Sequence, residues 1–241
     1  MRLQPRALAG ELRWLVDPTD PLRPYNASLA RVFATRWPKA VVGEARLMPT
    51  EGHMIKAQAR FVRQLVLRYP WVTDVVEIGF NAGHSSYLFL SSRPDVRVVS
   101  FDLGDHDYVG PAKELIDRRF PGRHELVLGD SRQTVPAYAG DHPDRRFDLA
   151  FIDGGHDYEV ARADIANCRA LATPRTIVLM DDLQPGRAFG EGPVRAWSEA
   201  VASGAVEQTA LVEEGFPLTE LPLESVDPDR VVWALGRYPG A

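Results

Sequence analysis

Cysteine is almost absent from this sequence of 241 residues, with Cys168 as its single copy. One cysteine cannot form an intrachain disulfide, and it cannot build a zinc site from several thiolates. The sequence also lacks the run of about 18 apolar residues that a membrane-spanning helix needs. The opening segment MRLQPRALAGELRW has no apolar stretch of signal-peptide length. We therefore expect a soluble, cytoplasmic protein that has no membrane partner.

The sequence also lacks an excess of basic residues, because it has 28 Lys and Arg but 33 Asp and Glu, which gives a net charge of -5. Sequence-independent binding of nucleic acids depends on clustered Lys and Arg that contact phosphates. We therefore predict no nucleic-acid partner. The hydrophobic content of 45% and the charged content of 25% are ordinary for a globular protein with a substantial core.

Short apolar segments alternate with helical patterns from about residue 71 onward. This order is typical of βα units that build a mostly parallel sheet. Acidic residues stand at or close to the end of each predicted strand. Because parallel sheets bind ligands outside the carboxyl ends of their strands, we expect these acids to converge there. The five predicted strands are VTDVVEIG, VRVVSFD, HELVLGD, FDLAFID and RTIVLMD.

The remaining patterns complete an α/β, doubly wound, mostly parallel fold. The tail segments FPLTELPL and DRVVWALGRY are predicted strands joined as an antiparallel edge hairpin. Helical periodicity over 54–69 and 157–172 predicts two amphipathic helices, the second with Cys168 on its apolar face. Residues 1–50 are broken by X-Pro pairs, which predicts a helical extension in front of a domain over 51–241. This extension could serve as a lid or as a dimerisation arm.

The stretch VVEIGFNAGH places Gly79 and Gly83 just past the first strand, after Glu77. Such a pair indicates a sharp turn or a close approach of backbone to a ligand. Its spacing differs from the G-x-G-x-x-G element that holds a dinucleotide pyrophosphate, and it favours a nucleoside with a cationic tail that Glu77 would attract. Asp102, which ends the second strand, could accept hydrogen bonds from a ribose, and Asp130, after the third, could bind an adenine amino group. Together these acids indicate an adenosine ligand.

Residues from about 50 to 182 resemble the class I S-adenosylmethionine-dependent methyltransferases, through the E-x-G-x-x-x-G element and the acids that end the next two strands. The resemblance implies a Rossmann-like, seven-stranded sheet and S-adenosylmethionine as the cofactor. The cofactor-binding residues that it implies are Glu77, Gly79, Asn81, Gly83, Ser85, Asp102, Asp130, Ser131 and Asp153.

Three further acids follow the fourth and fifth strands, namely Asp153, Asp181 and Asp182. Carboxylates suit Mg²⁺, and adjacent buried carboxylates destabilise each other without a cation or protons. The pattern resembles the divalent-metal-dependent O-methyltransferases of the catechol, caffeoyl-CoA and macrocin types, with Asp182 as in the macrocin-like branch. This resemblance implies Mg²⁺ or another divalent metal held by the three carboxylates. The alternative is a pair of strand-ending acids without an ion.

A general base is implied three positions after Asp153, where catechol-like enzymes have a lysine and this chain has His156. Histidine suits proton transfer near neutral pH, because its ordinary pKa is about 6.5. The predicted catalytic residues are therefore His156 and Asp153. His156 could instead be a metal ligand or a helix cap, and Asp157 is a second candidate base.

The expected activity is the transfer of a methyl group from S-adenosylmethionine to a hydroxyl of a small molecule, such as a secondary metabolite, a sugar or an aromatic compound. Met54, Phe189 and Trp197 are expected to shape the acceptor pocket, and the N-terminal arm suggests a homodimer. Two alternatives keep the cofactor: a metal-dependent N-methyltransferase or hydroxylase, and a protein that binds S-adenosylmethionine without catalysis. The glycine spacing argues against a nicotinamide oxidoreductase.

Overall fold

The computed structural model describes residues 19–36, 50, 54–213, 216–218 and 232–241. One sheet contains the eight strands of this part of the chain: β1 (Asp74–Ile78), β2 (Arg97–Asp102), β3 (His124–Leu128), β4 (Leu149–Ile152), β5 (Ile177–Met180), β6 (Glu207–Glu213), β7 (Phe216–Leu218) and β8 (Val232–Arg237). The strand order is β3-β2-β1-β4-β5-β8-β6-β7. Strands β1 to β5 are parallel to one another, whereas β8 is antiparallel to β5 and β6, and β7 is antiparallel to β6.

All five predicted parallel strands are confirmed, and so is the antiparallel edge. The predicted hairpin partners are wrong, because β7 pairs with β6 and β8 lies between β5 and β6. Strand β8 is buried along most of its length, which suits a position between two neighbours. Strand β6 was not predicted, since its sequence EQTALVE is half polar and only partly buried. With the three-residue β7 included, the sheet has one strand more than expected.

Seven helices and a 3₁₀ turn of Ala188–Gly190 accompany the sheet within the described residues. They are α1 (Arg23–Arg36), α2 (Lys56–Arg68), α3 (His84–Ser92), α4 (Val109–Arg119), α5 (Ser131–Asp141), α6 (Tyr158–Arg169) and α7 (Glu191–Ala202). Helices α1 to α4 pack in one hydrophobic cluster on one face of the sheet, and α5 to α7 pack in another on the opposite face. The doubly wound α/β fold is thus confirmed. None of these helices combines the length and the apolar character that crossing a bilayer requires.

The two predicted amphipathic helices correspond to α2 and α6. In α6, Ala161, Ile165 and Cys168 are buried against the sheet, so Cys168 is a core residue as expected. Asp164 is also buried on this face, which the spacing of the apolar residues does not predict for an acidic residue.

Helix α1 is the described part of the predicted N-terminal extension. Three of its side chains, Tyr25, Leu29 and Phe33, lie in the same core cluster as α2, α3 and α4. Leu22, just before the helix, belongs to this cluster as well. Residues 1–18 and 37–49 lie outside the described part of the chain. The division at residue 50, the homodimer, the cytoplasmic location and the absence of a nucleic-acid partner stay predictions.

The strand order reverses between β1 and β4, which are neighbours in the sheet although β2 and β3 separate them in sequence. Such a switch point opens a crevice outside the carboxyl ends of the two strands, where ligands of open α/β sheets bind. The glycine stretch follows β1 and Asp153 follows β4. Both therefore lie at this crevice.

Candidate functional site

The loop after β1 takes a conformation that its glycines permit. Gly79 has a φ of 94°, and a Cβ atom there would lie 1.9 Å from the backbone oxygen of Asp153. The Gly79 amide donates a hydrogen bond of 2.8 Å to the carbonyl of Phe101, which ties the loop to β2. Gly83 has a φ of 74° and stands as the N-cap of α3. The predicted sharp turn is therefore present, and at Gly79 it passes close to the backbone of Asp153.

Asp102 fixes the other side of this loop through its carboxylate. It accepts hydrogen bonds from the amide of Asn81, at 2.7 Å, and from the amide of Gly104, at 2.8 Å. Asn81 adopts a positive φ of 49°, which is uncommon outside glycine. The loops after β1 and β2 are thus joined by one half-buried carboxylate at the edge of the crevice.

Two exposed leucines lie beside this carboxylate, and the sequence patterns did not single them out. Leu103 is 60% exposed and Leu128 is 58% exposed, although both are large and apolar. A Cβ atom on Gly104 would lie 3.2 Å from Leu128, so the two loops are in contact here. Leu103 directly follows β2 and Leu128 ends β3, so each offers an exposed apolar side chain near the carboxyl ends of these strands.

The loop of residues 79–83, between β1 and α3, is the glycine loop. Glu77 is fully buried beneath it, on the face of the sheet that α3 covers. Its Oε2 accepts hydrogen bonds from the hydroxyls of Ser86 and Ser100. Its Oε1 has no hydrogen-bond partner among the described residues. Burial raises the pKa of Glu77 to about 7, while the hydroxyls of Ser100, Ser85 and Ser86 act in the opposite direction. Ser85 is itself buried at the start of α3.

His124 extends this polar cluster from the first position of β3. Its Nε2 lies 2.9 Å from the hydroxyl of Ser100, and its ring stacks on Phe80 with the ring centres 5.1 Å apart. Burial lowers the pKa of His124 to about 3, with a further contribution from Lys113. The imidazole is therefore neutral near pH 7.

Asp130 and Ser131 mark the start of α5. Asp130 is the N-cap residue, and its Oδ1 accepts from the amide of Arg132 at 3.0 Å. The guanidinium of Arg132 contacts the same carboxylate at 2.6 Å, and these hydrogen bonds lower the pKa of Asp130. The carboxylate of Asp130 is thus already paired with the guanidinium of Arg132.

The acids after β4 and β5 converge as predicted. A small pocket is lined by Asp153, Asp181, Asp182 and His156, together with Pro193 from α7. Burial and the carboxylates of Asp181 and Asp182 raise the pKa of Asp153 well above its ordinary value. Burial, followed by the charge of Asp182, raises the pKa of Asp181 to about 7. Ionisation of one of these carboxyls therefore makes ionisation of its neighbours less favourable near neutral pH.

Hydrogen bonds orient the members of this acidic cluster. Asp181 accepts from the amide side chain of Gln58 on α2 and, at 2.8 Å, from the backbone amide of Asp182. Asp182 has a positive φ of 59°, and its Oδ2 lies 2.8 Å from Nε2 of His156. The N-cap of α6 is Asp157, so the reading of His156 as the cap of that helix is wrong.

The donor chemistry of the cluster fits a hard divalent cation, because its side chains are carboxylates that repel one another. Within the described ranges, however, no three His, Cys, Asp or Glu side chains stand where they could hold a metal ion together. The predicted metal triad of Asp153, Asp181 and Asp182 is thus not formed as a ligand set. Its carboxylates would have to move together to bind an ion.

The residues expected to shape the acceptor pocket have different surroundings. Trp197 is fully buried in the second core cluster and donates to Gln208 at 2.8 Å, so its assignment to a pocket is wrong. Phe189 is 40% exposed, and its ring centre lies 5.6 Å from that of His156. Met54 is partly buried against the first core cluster. Of these three residues, Phe189 alone presents an exposed ring beside His156.

Asp164 is a buried acid that the sequence patterns missed. It lines the same pocket, and neither of its carboxyl oxygens has a hydrogen-bond partner in the described part of the chain. A Cβ atom on Gly154 would lie 2.9 Å from its Oδ2, which places the carboxyl directly under the loop after β4. Burial raises the pKa of Asp164 to about 6.

Residues 76–183 match the family model described as a methyltransferase domain. The match covers the glycine loop, Asp102, Asp130 and the acids up to Asp182, and it spans just under half of the chain. No curated protein matches the sequence at a significant level. The match to this domain agrees with the resemblance that the strand-end acids indicate.

Solved methyltransferases share the fold of the chain at low sequence identity. An O-methyltransferase from Bacillus cereus, in complex with SAH, has a TM-score of 0.64 and 17% identity, over 96% of this chain and 97% of that one. The O-methyltransferase TomG from Streptomyces achromogenes, involved in tomaymycin synthesis and in complex with SAM, has a TM-score of 0.64 and 18% identity, over 100% of both chains. The TDP-rhamnose 3'-O-methyltransferase CalS11 of calicheamicin biosynthesis has a TM-score of 0.55 and 20% identity, over 92% and 96%.

Proposed function

We propose that this protein transfers a methyl group from S-adenosylmethionine to a hydroxyl of a small molecule. The observation that carries the proposal is the meeting, at one switch point, of the glycine loop with the acidic pocket. The first offers backbone and the carboxylate of Asp102 to a nucleoside, and the second offers His156 and Asp182 to an acceptor. Solved proteins with this fold that bind SAM or SAH support the choice of cofactor.

The cofactor would occupy the half of the crevice formed by the loops after β1, β2 and β3. In this proposal Asp102 accepts hydrogen bonds from the ribose, and Asp130 with Ser131 faces the adenine. The exposed side chains of Leu103 and Leu128 cover one face of the adenine ring. Glu77 lies beneath the loop and draws the cationic end of the cofactor towards it, through the carboxyl oxygen that has no hydrogen-bond partner among the described residues.

The acceptor would occupy the pocket beside β4 and β5. His156 takes the proton of the acceptor hydroxyl, and the Asp182 carboxylate at 2.8 Å stabilises the imidazolium that results. The oxygen attacks the sulfonium methyl, so a C–O bond forms as the S–C bond breaks. The products are the methyl ether and S-adenosylhomocysteine, and the proton remains on His156 until solvent removes it.

A divalent cation, Mg²⁺ or another, is part of this proposal. Asp153, Asp181 and Asp182 would hold it, since their charges oppose one another near pH 7 without a counter-ion. When bound, such an ion lowers the pKa of a hydroxyl that it contacts. Gln58, which donates a hydrogen bond to Asp181, would orient its carboxylate towards the ion.

A sugar or an aromatic natural product is the acceptor class that we propose. The exposed ring of Phe189 beside His156 offers a stacking surface to either one. The similarity to enzymes of tomaymycin and calicheamicin biosynthesis supports a role in secondary metabolism.

The test begins with calorimetric titration of S-adenosylmethionine and S-adenosylhomocysteine into the protein, with NADH as a competing candidate. We expect micromolar binding of the first two and none of NADH. Preferential binding of NADH would overturn the proposal. Product mass from a panel of hydroxyl and amine acceptors then separates O-methylation from N-methylation, from hydroxylation and from binding without turnover.

The acidic pocket is tested with Asp153→Ala and Asp182→Ala. Both variants should lose at least about a hundredfold in turnover while they retain binding of S-adenosylhomocysteine, because general-base and charge effects of this kind contribute about 10²–10⁴. Glu159→Ala, on the exposed surface of α6, is the matched control and should leave turnover unchanged. Full activity of both pocket variants in the presence of a chelator would exclude the cation and these roles.

A further inference from the structure

Helix α1 reaches the glycine loop through one side chain. Tyr25 is fully buried, and its hydroxyl donates a hydrogen bond of 2.7 Å to the carbonyl of Ala82. The two residues are 57 positions apart, and Ala82 lies inside the stretch that joins β1 to α3. This contact links the described part of the N-terminal region directly to the loop proposed to bind the cofactor.

The surroundings of the Tyr25 ring hold this contact in place. The ring stacks on Tyr87 with the centres 4.8 Å apart, and it meets the edge of His84 at 5.7 Å. Both partners belong to α3, the helix that directly follows the glycine loop. Tyr25 therefore contacts the loop through its hydroxyl and the first turn of α3 through its ring.

Gly83 is needed for this approach as well as for its backbone conformation. A Cβ atom at this position would lie 2.7 Å from the hydroxyl of Tyr25 and 2.9 Å from the ring of Phe80. Any larger residue would thus push Tyr25 away from the loop. The second glycine of the E-x-G-x-x-x-G element serves a contact with α1, a role that its spacing in the sequence does not reveal.

We propose that Tyr25 is a positioning residue, through which α1 holds the loop of residues 79–83 in the shape that binds the adenosyl cofactor. Loss of its hydroxyl leaves the carbonyl of Ala82 without this donor and lets the loop sample other conformations. Cofactor binding must then order the loop again, which weakens the affinity. The inference rests on the proposed function for its ligand, although the contact itself does not.

The variant Tyr25→Phe removes the hydroxyl and keeps the stacked ring. Its matched control is Tyr238→Phe, because Tyr238 is also buried and also donates at 2.7 Å to a backbone carbonyl, that of Ile165, on the opposite face of the sheet. Both variants should lower the melting temperature by a similar amount. Only Tyr25→Phe should raise the Kd for S-adenosylhomocysteine, by about three- to tenfold, as expected for one net hydrogen bond.

Amide hydrogen exchange of the ligand-free proteins provides a second readout. Exchange in the peptide that covers residues 79–87 should be faster in Tyr25→Phe and unchanged in Tyr238→Phe. Unchanged exchange and unchanged Kd in Tyr25→Phe would overturn the inference, as would an equal rise of Kd in both variants. If the wild type does not bind S-adenosylhomocysteine but the exchange still rises, the proposed function fails while the role of Tyr25 in the loop stands.

Discussion

The two halves of the crevice are built in opposite ways. On the side of β1 to β3, the turn is fixed by hydrogen bonds that its backbone amides donate, from Gly79 to the carbonyl of Phe101 and from Asn81 to the carboxylate of Asp102. On the side of β4 and β5, acidic side chains are brought together, and burial with mutual repulsion raises the pKa values of Asp153 and Asp181. In the first half the amides of the turn are paired within the protein, whereas in the second half neighbouring carboxylates repel one another.

This difference shows where stability and function would conflict. A loop held by hydrogen bonds within the protein is formed before any ligand arrives, so that binding costs little ordering. Buried carboxylates that repel each other lower stability, and such a cost is common where groups serve a ligand. Substitutions in the first half should therefore damage the fold, and some substitutions in the second half should stabilise it.

The largest effect is expected for Gly79→Ala. The new Cβ would lie 1.9 Å from the backbone oxygen of Asp153, and alanine disfavours a φ of 94°. We expect a loss of at least about 3 kcal/mol of unfolding free energy, together with loss of S-adenosylhomocysteine binding. Chemical denaturation and calorimetry measure the two effects. Gly140→Ala in α5, where no atom beyond the chain neighbours lies within 4 Å of the new Cβ, should stabilise the protein by about 0.5–1 kcal/mol.

A smaller effect, which depends on pH, is expected for Asp164→Asn. Since the folded state raises the pKa of Asp164 from its ordinary 3.8 to about 6, it binds the proton more tightly than the unfolded state does. The protonated carboxyl therefore adds to the unfolding free energy below about pH 4, and this contribution is lost as the pH rises through about 6. The asparagine variant should be more stable than the wild type above pH 6, by up to about 3 kcal/mol.

Denaturation curves between pH 4 and pH 8 test this prediction for Asp164. The gap between variant and wild type should close as the pH falls towards 4. Asp141→Asn, at the exposed end of α5, serves as the control and should show no gap at any pH. A constant gap for Asp164→Asn would mean that burial of its charge does not govern its contribution.

The smallest contrast compares the two ends of β4. Asp153→Asn removes one of the repelling charges and should stabilise the protein at pH 8 by about 1 kcal/mol. Asp148→Asn weakens a carboxylate that accepts from the amides of Thr73 and Asp74, at 2.9 and 3.0 Å, and should destabilise it by about 1 kcal/mol. Thermal unfolding at constant pH checks the signs. Two changes of the same sign would contradict the contrast between the ends.

Local patterns were enough to place most of the sheet. The five parallel strands are short apolar runs bounded by turn residues, and their order along the chain predicts the parallel arrangement. Strand β6 was missed because half of its residues are polar. The predicted pairing of β7 with β8 was wrong because β8 pairs with β5, far away in sequence, while β7 pairs with the preceding strand β6. Trp197 was misplaced since periodicity does not distinguish a core position from a pocket.

The site was predictable to a similar degree. Acids at the ends of parallel strands must lie along one edge of the sheet, so Asp102, Asp153 and Asp181 could be grouped from sequence. Asp164 could not, because an acid within an amphipathic helix is ordinarily exposed. Nor could Tyr25, whose contact with Ala82 connects residues that no spacing rule relates.

The sequence by itself determined the fold class, the position of the glycine turn and the edge of the sheet at which the acids gather, because periodicity and turn chemistry are local. Only the tertiary structure decided which carboxyls are buried, that the three carboxylates after β4 and β5 do not stand as a ligand set in the described residues, and that α1 packs on the glycine loop. These features depend on distances between segments far apart in the chain, and burial and neighbouring charge follow from those distances.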